Sequence, residues 1–198
     1  TGTTVVAVLS KDRKIGVIAS DGRVSMQHLS VEERFRKVLD CRIGFIGFAG
    51  TLSVAQILLP KFRAELNSIC DTRGRLITAS GAARRLFQYY YSSSGRDGPG
   101  IELLPLFWDF KEKECHLYWL GGLSHLRQMK GLVIGSGRGS VGENAIDQLS
   151  PANSCAGLMK QVKEILRGAS KKDTATNKTM FFGIIENGEF TEGEEVLQ

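Results

Sequence analysis

Apolar and polar positions along the chain change period several times, and each change marks an element. Residues 3–9, Thr-Thr-Val-Val-Ala-Val-Leu, are β-branched and apolar, which predicts a buried strand. Polar Ser10 to Lys14 predicts a hairpin loop, and Ile15 to Ser20 predicts the returning strand, with Asp21-Gly22 at its end and Val24–Met26 continuing it. Residues 33–39 alternate less clearly, and Cys41 to Phe48 predicts one further buried strand running into Gly47-Phe-Ala-Gly50. The period then lengthens. Leu52, Ala55, Leu58, Leu59, Phe62, Leu66 and Ile69 recur at three and four, the stripe of an amphipathic helix that Pro60 should bend. A second helix is expected over 77–92, with Ala83, Leu86, Phe87 and Tyr90 inward, then a Ser/Gly loop to Gly100. Strands are expected at 101–110, 116–120 and 130–134. A Gly/Ser turn over 135–140 follows, then helices at 141–149 and 153–169 and a strand at 179–185 before a turn at Asn187-Gly188.

Strands, two helices, strands, two helices and strands, in that order, predict an α+β plan with helices on both faces of a two-sheet core. Neither a repeat nor a dividing linker interrupts it, so residues 1–198 are expected to form a single domain. With 42% hydrophobic and 24% charged residues, global disorder is excluded. The apolar run Ile43–Gly50 is far shorter than the roughly 20 residues a membrane helix needs, so no membrane partner is expected. Net charge is +5, from 26 basic and 21 acidic residues, with acids gathered at the end (Glu186, Glu189, Glu192, Glu194, Glu195). No basic block with interleaved aromatics stands out, so no nucleic-acid partner is expected. Cysteines at 41, 70, 115 and 155 form no C-x-x-C pair, and His28, His116 and His125 show no ligand spacing. They predict free thiols in a reducing compartment, with neither a metal site nor a cofactor. No signal or transit peptide precedes the first strand, so a cytoplasmic location is expected, or a nuclear one in a eukaryote.

The chemistry of the opening residues changes this picture. A threonine hydroxyl is a poor nucleophile unless a base lies beside it, and a free α-amine on the same residue can be that base. The amine titrates near ~8 in model compounds, so it is partly neutral at working pH. The hairpin brings Asp21 beside the amino end, and Lys37 follows sixteen residues later. An ammonium near an amine lowers the amine's pKa and stabilises an oxyanion. Gly47 has a backbone N–H that a strand end could turn toward a developing oxyanion. Each residue also has an ordinary reading: Asp-Gly as a turn, the lysine as a solvated charge, the glycine as a strand end.

Taken together these segments resemble a known family, the proteasome β-type subunits and their simpler bacterial relative, the HslV protease. Thr3-Thr-Val-Val-Ala-Val resembles the family's opening strand, Ala19-Ser-Asp-Gly-Arg-Val-Ser-Met26 the segment of its catalytic aspartate, and Arg36-Lys-Val38 that of its catalytic lysine. Gly47-Phe-Ala-Gly50 resembles the oxyanion turn, and Ile134-Gly-Ser-Gly137 the turn whose serine supports the threonine amine. Lys172-Asp-Thr-Ala-Thr176 resembles the late Arg-Asp-Ser-x-Ser segment, with threonine at 176 where serine is usual. The resemblance spans the chain in order. It implies the four-layer αββα sandwich of the N-terminal nucleophile (Ntn) hydrolases and a threonine-type endopeptidase that needs no cofactor. Its catalytic residues would be Thr3 or Thr1, Asp21, Lys37, Gly47, Ser136, Asp173 and Thr176. Val24, Phe35, Phe45 and Ala49 would line an apolar pocket for the residue before the cut bond.

Alignment favours Thr3, with Gly2 matching the glycine before the family's processing point, while Thr1 stays open as the first residue. The family also implies stacked homo- or hetero-oligomeric rings, an α-type ring or ATPase unfoldase as partner, and unfolded polypeptides as substrates. Two other readings compete: a catalytically inactive ring subunit, and an Ntn amidase or transpeptidase.

Overall fold

A computed structural model describes residues 3–26, 29–32, 35–74, 77–93, 100–141, 144–172 and 178–197, without the side chains of 24–26, 29–32 and 140. Strands β1 (Thr4–Leu9) and β2 (Ile15–Asp21) are buried at every position, as strands covered on both faces must be. They pair antiparallel with Val5 opposite Ser20 and Leu9 opposite Gly16, so the Thr3 end of one lies beside the Asp21 end of the other. Val24–Met26 does not prolong β2. It is a separate strand, β3, paired with β4 (Leu29–Glu32) in a two-stranded ribbon.

The single strand expected over 41–48 is instead the hairpin β5 (Val38–Cys41) and β6 (Gly44–Gly50), with Cys41 opposite Gly44. Its turn residues, Arg42 and Ile43, are not the Asn, Asp or Gly of common two-residue turns, so composition hides it. Helix α1 (Leu52–Arg73) buries Ala55, Leu58, Leu59, Phe62 and Leu66 of the expected stripe together with Cys70, leaves Leu52 and Ile69 half-buried, and runs through Pro60. Its end is set by Gly74 in the left-handed conformation, whose N–H donates to the Cys70 carbonyl. Helix α2 (Ala79–Ser92) is capped by Thr78, whose side chain accepts from the Gly81 N–H.

Strands β7 (Ile101–Asp109) and β8 (Glu114–Gly121) match expectation, but β9 (Ser124–Gln128) was not foreseen. It is a largely exposed edge strand with no apolar alternation to announce it. After β10 (Gly131–Gly135) the helix expected at 141–149 does not form. A short α3 occupies Gly137–Val141 and residues 144–148 are turns. Val141, Ile146 and Leu149 all pack on one core, but their spacings of five and three fit no helical stripe. Helix α4 (Cys155–Lys172) and strand β11 (Thr179–Glu186) follow. Asn187 and Gly188, at φ +49° and +85°, then form the tight turn into β12 (Glu189–Val196).

Two five-stranded antiparallel sheets result, in the orders β10-β1-β2-β11-β12 and β5-β6-β7-β8-β9. Alternation along β1 assigns their faces. Val5, Ala7 and Leu9 meet Phe45, Ala49, Leu104 and Leu106 of the other sheet, forming a core between the two. Val6 and Val8 point the other way, onto Leu158, Val162 and Leu166 of α4. On the far side, α1 and α2 bury Leu59, Phe62, Leu86 and Tyr90 against Ile46, Phe48, Leu103 and Phe107. The layers are therefore α, β, β, α, as the sequence predicts.

At the base of the β7–β8 hairpin, buried His116 sets Nε2 2.9 Å from Glu112 and 3.1 Å from Glu114. Glu114 also accepts from Arg127, giving a charge network that histidine spacing alone could not expose. All four cysteines are free. Burial, followed by the Glu114 charge, pushes the Cys115 thiol up to about 12. Alkylation at pH 8 should therefore modify Cys115 at least about a thousandfold more slowly in the native protein than in denaturant, as read by mass spectrometry of its peptide.

Candidate active site

Backbone register gathers residues from four distant segments. Thr4 lies opposite Gly135 in the β1–β10 pair, which places Ser136 beside Thr3. The Thr3 N–H donates to Ser136 Oγ at 3.1 Å. Gly135 (φ +91°) allows this approach, because a Cβ there would meet the Thr3 carbonyl oxygen. On the other flank, Asp21 Oδ1 accepts the Thr4 N–H at 2.8 Å and Lys37 Nζ at 3.2 Å, and Oδ2 accepts the Arg23 N–H at 3.2 Å. Asp21 is 0% exposed and Lys37 2%. The Phe35 N–H donates to the Gly22 carbonyl and the Phe48 N–H to the Lys37 carbonyl, fixing the segment that carries the lysine at both ends.

Burial pushes the Asp21 carboxyl above the usual carboxylate range, opposed by the Lys37 ammonium and by hydrogen bonds from Thr4, Lys37 and Arg23. The result is a buried carboxylate–ammonium pair one residue from a threonine whose nitrogen is already held by a serine.

Two cavities flank it. One, about 290 Å³, is lined by Thr3, Ala49, Gly50, Glu102, Gly135 and Ser136, among others. The other, about 210 Å³, is lined by Phe35, Leu39, Phe48, Leu52, Ala55 and Pro60 with the stems of Arg36 and Gln56.

Thr3, Asp21, Lys37 and Ser136 are thus brought together, with Ala49 beside them. Gly47 is not. It sits within β6, where a Cβ would press on Val5 and Ile18 between the sheets. The glycine that reaches the Thr3 cavity is Gly50, at φ +116° where β6 gives way to α1. Phe45 is also placed elsewhere, packed over Gly183 and edge-on to Phe190 at 6.3 Å. The reason is strand parity. Phe45, Gly47 and Ala49 face the other sheet, whereas Phe48 faces α1, where the apolar cavity opens. Phe35 lines that cavity together with Leu39, Phe48 and Leu52. Thr1, Asp173 and Thr176, and the side chain of Val24 on β3, lie outside the described residues. Among the described residues no helix is long and apolar enough to cross a membrane.

Comparison with known proteins identifies the family. The family model described as "Proteasome subunit" matches residues 1–185. A curated protein of Parafrankia sp. (strain EAN1pec), named proteasome subunit beta, is 31% identical over 111 residues, which cover 55% of this chain and 39% of that relative. The chain therefore spans less than half of the relative it matches. With its αββα layers and these matches, the chain belongs to the proteasome subunit family, as a β-type member of the Ntn hydrolases.

Proposed function

We propose that this chain is a threonine-type endopeptidase subunit, with Thr3 as the nucleophile. The observation that carries the reading is the hydrogen-bonded series Ser136–Thr3 and Thr4–Asp21–Lys37, in which Asp21 and Lys37 are buried while Thr3 and the exposed Ser136 line a cavity. Once the Gly2–Thr3 bond is cut, the Thr3 nitrogen is an amine held by Ser136. It takes the proton as Thr3 Oγ1 attacks an amide carbonyl. Lys37 keeps that amine in its neutral form by charge, and Asp21 holds Lys37 in place. The Gly50 N–H is the donor assigned to the oxyanion, in place of Gly47. The protonated amine then returns its proton to the leaving nitrogen as the C–N bond breaks. Water cleaves the resulting ester and regenerates the hydroxyl. Asp173 and Thr176 are assigned to orienting the amine by resemblance alone.

The Ser136 contact favours Thr3 over Thr1. Residues 1–198 act as one domain in this reading, within stacked rings of like subunits fed with unfolded chains by an α-type ring or an ATPase, in the cytoplasm. The test is an electrophilic threonine-directed inhibitor, followed by mass mapping of the labelled residue. Label on Thr3 with a free amine supports the reading. Label on Thr1 moves the nucleophile. No label on either leaves the architectural subunit.

The apolar cavity predicts specificity. Burying a Leu or Phe side chain there is worth about 1.5–3 kcal/mol. Short fluorogenic peptides with Leu, Phe or Tyr before the cut bond should therefore be cleaved about tenfold or more faster than those with Asp or Lys there. A preference for a charged residue at that position would refute this assignment of the cavity.

A further inference from the structure

Hydrolysis by Thr3 has no use for a fixed negative charge in its cavity, yet one is there. Glu102 lies on β7 directly opposite Ala49 in register and lines the same cavity as Thr3 and Ser136. It is not a loosely solvated surface acid. Trp119 Nε1, on β8, donates to its Oε2 at 2.8 Å and fixes the carboxylate. An ionised carboxylate has more acceptor positions than one indole can fill, so it keeps capacity for a second donor. The other side chains lining the cavity, Thr3, Ala49, Ile101 and Ser136, are uncharged, and the remaining positions are glycines. Among the described residues, Glu102 is therefore its only charged side chain.

We infer that Glu102 makes this cavity a subsite for a cationic side chain, lysine or arginine, on the residue that follows the cut bond. The inference rests on the peptidase reading above and goes beyond it by naming the chemistry of the leaving segment. The side of the bond follows from the proton. Whatever protonates the departing nitrogen must lie within hydrogen-bond reach of it. In this site that group is the Thr3 nitrogen, held by Ser136, and Ser136 lines the Glu102 cavity. The segment after the cut thus passes over Ser136 toward Glu102. The segment before it has the apolar cavity of Phe35, Leu39 and Phe48 on the α1 face. A long basic side chain suits the walls, since its methylenes can cover Ile101 while its head meets the carboxylate.

The test uses internally quenched peptides identical except for the residue after the cut, which is Lys, Gln or Glu. A companion peptide carries a dye amine there and no further residue. The Lys peptide should show a kcat/KM about tenfold above the Glu peptide, a preference that shrinks as salt rises. In Glu102→Gln, which keeps an oxygen for Trp119, the Lys-to-Glu ratio should fall to about one. In Glu102→Lys it should invert. Equal cleavage of the Lys and Glu peptides by the unmodified protein, or an unchanged ratio in Glu102→Gln, overturns the inference and leaves Glu102 as a structural partner of Trp119. If the unmodified protein fails to cleave even the dye peptide, the peptidase reading falls and takes this inference with it.

Discussion

Thr3→Ala is expected to abolish peptide hydrolysis, with kcat/KM falling at least about 10⁴-fold, to whatever the rest of the cavity supplies. The size follows from the role. The variant loses the atom that would be acylated, not a contact that tunes it. Thr3 is buried, but it precedes β1 and lines a cavity, so losing its hydroxyl and methyl removes few packing contacts. The melting temperature should therefore stay within a few degrees, which separates loss of chemistry from loss of fold. Thr3→Ser keeps a hydroxyl and should retain measurable turnover. Thr1→Ala should cleave as the unmodified protein does, because Thr3, and not Thr1, is the residue whose nitrogen is assigned to Ser136. Full activity in Thr3→Ala would end the proposed mechanism, and loss in Thr1→Ala alone would relocate it.

Most of what positions Thr3 could be read from the chain, because strand period carries it. The continuous apolar runs at 4–9 and 15–21 need cover on both faces, and the polar hairpin between them forces Thr3 and Asp21 to one end. The helical stripe of α1 was equally legible, since its spacing survives Pro60. What escaped depends on tertiary geometry. The Arg42-Ile43 turn has no turn residue to signal it. Its insertion splits one expected strand into β5 and β6, and with that the face on which each residue of 45–50 lies could not be fixed. Gly47 and Phe45 were consequently expected at the site, whereas Gly50 reaches one cavity and Phe48 the other. A one-residue change of parity exchanges the two faces of a strand, and nothing local corrects it. Gly50 did carry a signal: it is a glycine at the end of a strand, just ahead of the helical stripe, where the chain must turn and a positive φ is useful. Glu102 carried none, since its meaning depends on Ala49 and Trp119 from neighbouring strands.

Lys37→Ala should cost both stability and activity, and the two losses can be told apart. Lys37 Nζ lies 3.2 Å from Asp21 Oδ1, with the side chains 2% and 0% exposed. Removing the ammonium leaves a buried carboxylate with only backbone donors, a change worth about 3–5 kcal/mol. Burial already raises the Asp21 pKa in the folded state. A raised acid favours folding below its unfolded pKa and loses that contribution as pH climbs through the folded value. Without Lys37 the folded value rises further, so the destabilisation relative to the unmodified protein should be larger at pH 7 than near pH 4. Denaturant unfolding at the two pH values measures this. Asp21→Asn combined with Lys37→Met removes both charges and should recover most of the stability, because no buried charge is left unpaired. Activity should not return, since nothing then holds the amine of Thr3 neutral. In the unmodified protein, the acid limb of kcat/KM should fall above the ordinary carboxylate range, where protonation of Asp21 releases Lys37. A double variant that regains turnover along with stability would show that the pair serves the fold alone.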